Sequence, residues 1–178
     1  MPGDKNKQMA LKPQDLLVAL KVCVNGDREF LLASLGQELL MAVSAVHGSI
    51  RRCEQAQLLS RASGSIRAVR PYLAEFVVHG ARFAFPGMQG PMSRGMPTAI
   101  AGPSLRQHFD LSNAVLPVWP DAQGDTYGPS LTPLHHTAAA ASRLDEKLFD
   151  VLTLLDALRI GAARERELAS TMLLERLG

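Results

Sequence analysis

Five arginines lie close together between residues 44 and 70, a stretch in which Glu54 is the one acidic residue. A guanidinium stays positively charged and presents a planar set of donors that matches phosphate oxygens or the edge of a guanine base. This local excess of positive charge suits a polyanion such as a nucleic acid, although the same charges could form an ordinary solvated face. The arginines are Arg51, Arg52, Arg61, Arg67 and Arg70.

Two helices joined by a short corner are predicted to position the first two of these arginines. The first is predicted over residues 29–39 and the second over residues 43–56, with residues 40–42 as the corner between them. The apolar residues of the first helix are expected to point inward, and those of the second helix form one face of it. They are Phe30, Leu31, Leu35 and Leu39, followed by Val46, Ile50 and Cys53.

The opposite face of the second helix is predicted to contact DNA, because a helix-turn-helix places its second helix in the major groove. Small residues there let the backbone come close, and arginines reach guanine edges or phosphates. Helical hairpins in bundles share this spacing without binding nucleic acid, so that alternative stays open. The predicted contact residues of this face are Ser44, Ala45, His47, Gly48, Arg51, Arg52 and Gln55.

The stretch LGQELLMAVSAVHGSIRRCEQAQLL, residues 35–59, resembles the helix-turn-helix of bacterial winged-helix transcriptional regulators of the MarR-like type. The resemblance covers residues 11–86 at most, and it implies a winged helix-turn-helix DNA-binding domain over residues 12–86. The positions that fit the family pattern are Leu35, Gln37, Glu38, Leu39, Met41, Ser44, Val46, Ile50, Arg52, Glu54, Ala56, Leu58 and Leu59.

Four positions depart from that family pattern. Gly36 stands for the usual Ala, Leu40 for the glycine of the turn, Ala42 for the capping serine and Gln57 for the final glycine. Losing a helix cap costs about 1 kcal/mol. We therefore expect the second helix to fray at its start or to be capped by Ser44 instead.

A two-stranded wing is also implied by the resemblance, and residues 59–67 lie where it should follow the second helix. Gly64 and the neighbouring serines would form its tip, with Arg61 and Arg67 at phosphates on either side. A plain flexible loop is the alternative interpretation of this segment.

The predicted fold is mainly α with a small β component. Residues 1–11 are expected to be a flexible tail, and residues 81–86 alternate in polarity as a strand does. Residues 87–103, GMQGPMSRGMPTAIAGP, are so rich in Gly and Pro that we expect no regular element there. Apolar residues 114–120 and the return at 126–128 predict a short strand pair. Residues 87–137 thus form an irregular, β-containing segment.

A C-terminal helical region is predicted over residues 138–178, with one helix over residues 144–160 and another over residues 162–177. Its apolar surface needs burial. Terminal helices pair across a two-fold axis in MarR-like dimers, so the resemblance implies a homodimer held by this region. The alternative is that these helices fold back on the N-terminal domain of their own chain.

Composition and motifs exclude several classes of protein. The chain has no apolar run long enough to cross a membrane and no apolar signal core near its start, so we expect it to be cytoplasmic. Cys23 and Cys53 fall on apolar positions, which favours buried thiols. His135 and His136 are adjacent and point apart. With no phosphate-binding loop, nucleophile elbow or metal-ligand cluster, we expect neither catalysis nor a cofactor.

Two classes of function remain. The chain could be a homodimeric, sequence-specific DNA-binding transcriptional regulator, most simply a repressor, that reads double-stranded DNA with residues 43–56. It could instead be an adaptor or antitoxin-like protein that clamps a partner protein through residues 87–137. The arginines favour the first class, and the altered turn and cap residues favour the second.

Overall fold

The computed structural model describes residues 8–62 and 64–178 and is mainly helical with a small β component, as predicted. Residues 1–7 of the predicted tail and Ser63 of the predicted wing tip lie outside the described residues. Of the rest of that tail, the Met9 N–H donates to Gln55 Oε1 at 2.7 Å, and Leu11 packs against the core. Within the described residues, no helix is both long and apolar enough to span a bilayer.

The first helix, α1, runs over Pro13–Val24 and lies at the centre of the molecule. Proline suits its first turn because the N–H that it lacks would have no partner within the helix. The Asp15 side chain accepts from the Lys12 N–H at 2.8 Å and so satisfies a donor at the start of the helix. Residues 15–23 are all buried, which makes α1 the element on which others pack.

Helices α2, Leu32–Leu39, and α3, Val43–Gln55, follow as an adjacent pair. Helix α2 begins three residues later than predicted, since Ser34 Oγ accepts from the Leu31 N–H at 3.2 Å and fixes the start there. The inward position predicted for Leu31 is wrong, because this side chain precedes the helix and is 76% exposed.

The corner between α2 and α3 is tight. Leu40 ends α2 in the left-handed conformation, with φ of 54°, at the position where glycine would be favoured. The Met41 N–H then donates to the Gly36 carbonyl at 2.9 Å. A Cβ on Gly36 would lie 2.9 Å from the Met41 carbonyl oxygen, so the absence of a side chain there lets the corner close.

A short hairpin follows α3. Strand β1, Leu59–Ser60, pairs antiparallel with β2, Arg67–Ala68, so that Leu59 lies opposite Ala68. The segment is therefore not a plain loop. Each strand has only two residues.

The chain then returns to helix with α4, Arg70–Glu75, a π-helical turn, Phe76–Gly80, and α5, Ala81–Ala84. The strand predicted over residues 81–86 is wrong. Ala81 and Phe85 are both buried at a spacing of four, and the Phe85 N–H donates to the Ala81 carbonyl at 2.8 Å, which is helical geometry.

Three strands form a small closed sheet: β3, Gln89–Pro97, β4, Val118–Pro120, and β5, Thr126–Leu131. The expectation of no regular element in residues 87–103 is therefore wrong. The two later segments are strands that pair with each other, as predicted, and they do so in parallel at Val118 and Ser130. Each of them also pairs antiparallel with β3, which was not predicted.

Glycine is required where these strands come closest. A Cβ on Gly95 would lie 2.0 Å from the Trp119 carbonyl oxygen, and one on Gly124 would lie 2.2 Å from the Gly95 carbonyl carbon. The glycines that weakened the sequence signal for a strand thus allow the sheet to close. Pro91 falls in the register shift between Gln89 and Met92.

Three helices complete the chain: α6, Ala138–Leu144, α7, Glu146–Ile160, and α8, Ala163–Leu177. The helix predicted over residues 144–160 begins later, because Asp145 caps α7 by accepting from the Leu148 N–H at 3.1 Å. Residues 151–158 are all buried, and α7 packs against α1 and α8 of the same chain. The C-terminal helices therefore fold back on the N-terminal ones, and α8 leaves Leu174 half exposed.

Buried charges join these parts. Lys21 of α1 is 2% exposed, and its Nζ lies 2.7 Å from Glu38 Oε2 of α2 and 2.6 Å from Asp145 Oδ2. At the other side of the core, Asp156 of α7 accepts from Thr98, Trp119 and Arg159 at 2.6–2.7 Å. Burial raises the pKa of Asp156, whereas Arg159 and the two neutral donors oppose that rise.

Candidate nucleic-acid interface

Helix α3 separates its residues into a buried and an exposed face. Val46, Ile50 and Cys53 are fully buried, as predicted from their spacing. Ser44, His47, Arg51 and Gln55 are exposed on the other side, while Ala45 and Gly48 are half-buried. The exposed residues recur at intervals of three and four, so they form one continuous stripe.

Arg52 is not part of this stripe, which corrects its predicted role as a DNA contact. Its Nε and Nη2 atoms each lie 2.7 Å from a carboxylate oxygen of Asp15, whose side chain is fully buried. These hydrogen bonds raise the pKa of Arg52. A carboxylate placed between two helices needs such a partner, and Arg52 therefore fixes α3 to α1.

Arg51 differs from its neighbour. Its side chain is exposed, and it makes no hydrogen bond or ion pair within residues 8–62 and 64–178. Adjacent residues of a helix point about 100° apart, which is why one arginine faces α1 and the other faces solvent. Arg51 is thus a free cation in the middle of the exposed stripe.

The remaining three arginines of the sequence cluster all contact their own chain. Arg61 Nε lies 3.1 Å from Glu54 Oε1, and Arg67 Nη1 donates to the Gly26 carbonyl at 2.9 Å. Arg70 Nη2 donates to the Cys23 carbonyl at 3.0 Å, at the end of α1. Arg61 and Arg67, predicted as phosphate contacts, lie half-buried beside and within the hairpin. Arg67 is held by its hydrogen bond to Gly26, whereas Arg61 has the ion pair with Glu54 and its Nε donates no hydrogen bond to a described residue.

The two ends of the exposed stripe, at Ser44 and at Gln55, differ in their hydrogen bonds to the rest of the chain. At the end, Gln55 accepts from the Met9 N–H, so this predicted contact residue holds residues 8–11 against α3. At the start, Ala42 provides no side-chain cap, and no hydrogen bond from Ser44 to another described residue replaces it. The uncovered part of the stripe therefore consists of Ser44, His47 and Arg51.

Asp15 is the positioning residue that sequence reasoning missed. A signal was present, because it is the one acid at the start of an otherwise apolar run, LLVAL, and it lies on the first turn of α1. A single acid beside an apolar run indicates a buried partner of opposite charge. The pattern alone could not select Arg52 over the other arginines.

Across the described ranges, no three His, Cys, Asp or Glu residues come together in a way that could hold a metal ion. The expectation that His135 and His136 point apart is wrong, because their rings contact each other with centroids 4.1 Å apart. Burial lowers the pKa of His135, and the neighbouring His136 adds to this.

No protein-family model, curated protein or solved structure matches this chain. The resemblance to MarR-like regulators therefore rests on the sequence of residues 35–59 alone.

Proposed function

We propose that this chain is a sequence-specific DNA-binding transcriptional regulator with a winged helix-turn-helix over residues 12–86. The observation that carries the proposal is the uncovered stripe of Ser44, His47 and Arg51 on a helix that α1 and α2 hold in place. The three side chains offer a hydroxyl, an imidazole and a guanidinium, which are groups that bind base edges and phosphates.

The length of α3 suits this role. A helix with its side chains is about 10–12 Å in diameter and so fits the ~12 Å width of a major groove. Its thirteen residues extend about 20 Å, enough to contact several base pairs along the groove. Arg51 would supply the bidentate contact to guanine or a contact to phosphate. Arg52 would act indirectly, by holding the angle of α3 through Asp15.

We further propose that the regulator acts as a homodimer, most simply a repressor, because one short reading helix covers only one half-site. Since α7 is buried within its own chain, the contact between copies would use other surfaces. Tyr72 and Phe83 are 52% and 70% exposed on α4 and α5 and provide apolar area for it. Light scattering at several protein concentrations measures the oligomeric state directly.

A mobility-shift experiment tests DNA binding. The DNA is the region upstream of the gene for this chain, at low and at moderate salt. Arg51→Ala should weaken the shift by roughly tenfold or more, the value of one good base or phosphate contact. Arg106→Ala removes an exposed arginine of the middle segment and should leave the shift unchanged. A normal shift with Arg51→Ala would reject α3 as the reading helix.

A second function is favoured by a different observation. Residues 87–137 expose four large apolar side chains: Met88, Met92, Val115 and Tyr127. Methionine and tyrosine are enriched at protein interfaces, so this segment could clamp a partner protein. Replacing Met92 and Tyr127 by serine should then abolish capture of the protein from the neighbouring gene and leave DNA binding intact.

A further inference from the structure

A cavity of about 180 Å³ lies beside the last residues of α1, Cys23 and Val24. It is bounded by the end of α1, the start of α4, and helices α7 and α8. Arg70, Lys147 and Arg176 bring three cations to it, and Asp150 brings one carboxylate. Val24 and Val151 form an apolar part of its wall.

The two oxygens of Asp150 have different environments. Oδ2 accepts from Arg176 Nε, whereas Oδ1 is buried and receives no hydrogen bond from any described residue. A buried carboxylate oxygen without a donor is costly, and the cost disappears when a donor from another molecule reaches it. Asp150 lines the cavity, but Oδ1 itself is shielded from it, so a ligand reaches this oxygen by displacing a neighbouring side chain.

The cations of the cavity have donors to spare. Lys147 is exposed and makes no hydrogen bond or ion pair with residues 8–62 or 64–178, so all three of its N–H groups are available. Arg70 and Arg176 are fixed in place by backbone carbonyls, since Arg70 donates to Cys23 and Gly178, and Arg176 donates to Met172. Each guanidinium has five donors, so some of them remain free after these bonds.

We propose that this cavity binds a small organic carboxylate that also carries an N–H or O–H donor. The carboxylate of the ligand lies against Lys147, Arg70 and Arg176, and its amino or hydroxyl group donates to Asp150 Oδ1. The volume corresponds to about six water molecules at roughly 30 Å³ each, which limits the ligand to a similar number of non-hydrogen atoms. A small α-amino acid or α-hydroxy acid has this size and both groups.

Titration calorimetry on the full chain tests the proposal with three probes: L-alanine, L-lactate and acetate. Acetate carries the carboxylate without the donor. We expect alanine or lactate to bind at least tenfold more tightly than acetate, and the tighter of the two identifies the source as an amino acid or a hydroxy acid. Equal affinity for all three, or no heat from alanine and lactate up to roughly 10 mM, would overturn the proposal.

Two variants locate the site. Lys147→Ala should weaken binding of the preferred probe about tenfold, because it removes one charge-assisted contact. Arg106→Ala, an exposed cation outside this cavity, is the matched control and should bind normally.

Asp150→Asn should reduce the preference for donor-bearing probes while acetate still binds, which a loss of folding would not produce. Unchanged affinities in both Lys147→Ala and Asp150→Asn would place the ligand elsewhere and refute this assignment. These measurements need no DNA, so their outcome is independent of the proposed DNA binding.

Discussion

Asp15 and Arg52 form a two-bonded ion pair between α1 and α3, with both contacts at 2.7 Å and the Asp15 side chain fully buried. Two arginines adjacent in the sequence thus have different roles. Arg52 holds α3 in place, while Arg51 remains available on the exposed stripe.

Arg52→Ala should destabilise the fold by about 3 kcal/mol, because it leaves a buried carboxylate without its partner. Arg51→Ala should change the free energy of unfolding by less than about 0.5 kcal/mol, as is usual for an exposed side chain. Urea denaturation followed by circular dichroism measures both. Equal stabilities of the two variants would contradict the assignment of Arg52 to a structural role.

Leu40→Gly should stabilise the protein by about 1 kcal/mol. The left-handed conformation costs a non-glycine residue roughly 1–2 kcal/mol, and glycine avoids this cost while losing some side-chain contacts of a half-exposed residue. Leu40→Ala is the control, since alanine loses the same contacts and keeps the strain. A melting temperature that rises for glycine and not for alanine confirms the strain, and a fall for both argues against it.

Ala42→Ser should add about 1 kcal/mol to the free energy of unfolding. Ala42 has φ of −59° and ψ of 139°, an extended conformation from which a serine hydroxyl can accept from the exposed N–H groups at the start of α3. Ala42→Val provides no acceptor and should not stabilise. If Ala42→Ser and Ala42→Val have the same melting temperature, the N–H groups at the start of α3 are already hydrogen-bonded to water.

The stability should fall in acid, partly through the carboxylates around Lys21. The hydrogen bond from Arg28 lowers the pKa of Glu38, and the contact with Lys21 adds to this. Burial alone would raise the pKa of Asp145, but hydrogen bonds from Lys21, the Leu148 N–H and Asn25 together lower it. A carboxyl whose pKa is lower in the folded than in the unfolded protein stabilises the fold at pH values above its unfolded pKa, which is near 4. This contribution is lost as the pH falls through the pKa of the folded state.

Comparison with Lys21→Met isolates this contribution. The variant should be less stable than the natural chain at pH 7, and the difference should shrink below about pH 4 as the carboxyls become protonated. The opposite pH dependence of Asp156, whose burial raises its pKa, is present in both proteins and cancels. Lys147→Met is the matched control without an ion pair. Urea denaturation at pH values from 7 to 3 measures the free energy of unfolding of both proteins. A difference between them that stays constant over this range would contradict the role of Lys21.

Periodicity predicted the elements that carry a single apolar face. The extent of α3, and the burial of Val46, Ile50 and Cys53, follow from it because the core side of a surface helix leaves a repeat in the sequence. Strand β3 left no such repeat. Its glycines and prolines are determined by contacts with β4 and β5, which lie far away in the sequence.

The exposed stripe could be predicted only in part for a similar reason. Spacing placed Arg51 and Arg52 on one broad face, but it could not show that a carboxylate 37 residues earlier binds one of them. Likewise, nothing in residues 59–70 indicates that Arg67 donates to the turn after α1 and Arg70 to the end of α1. Side-chain partners distant in sequence decide which cations remain free.

The close approach of Gly95 to Trp119, and of Gly124 to Gly95, limits how this protein can change during evolution. Even an alanine at either position would force two backbone segments apart, so both positions should remain glycine. Distant homologues should therefore be recognisable by this glycine pair.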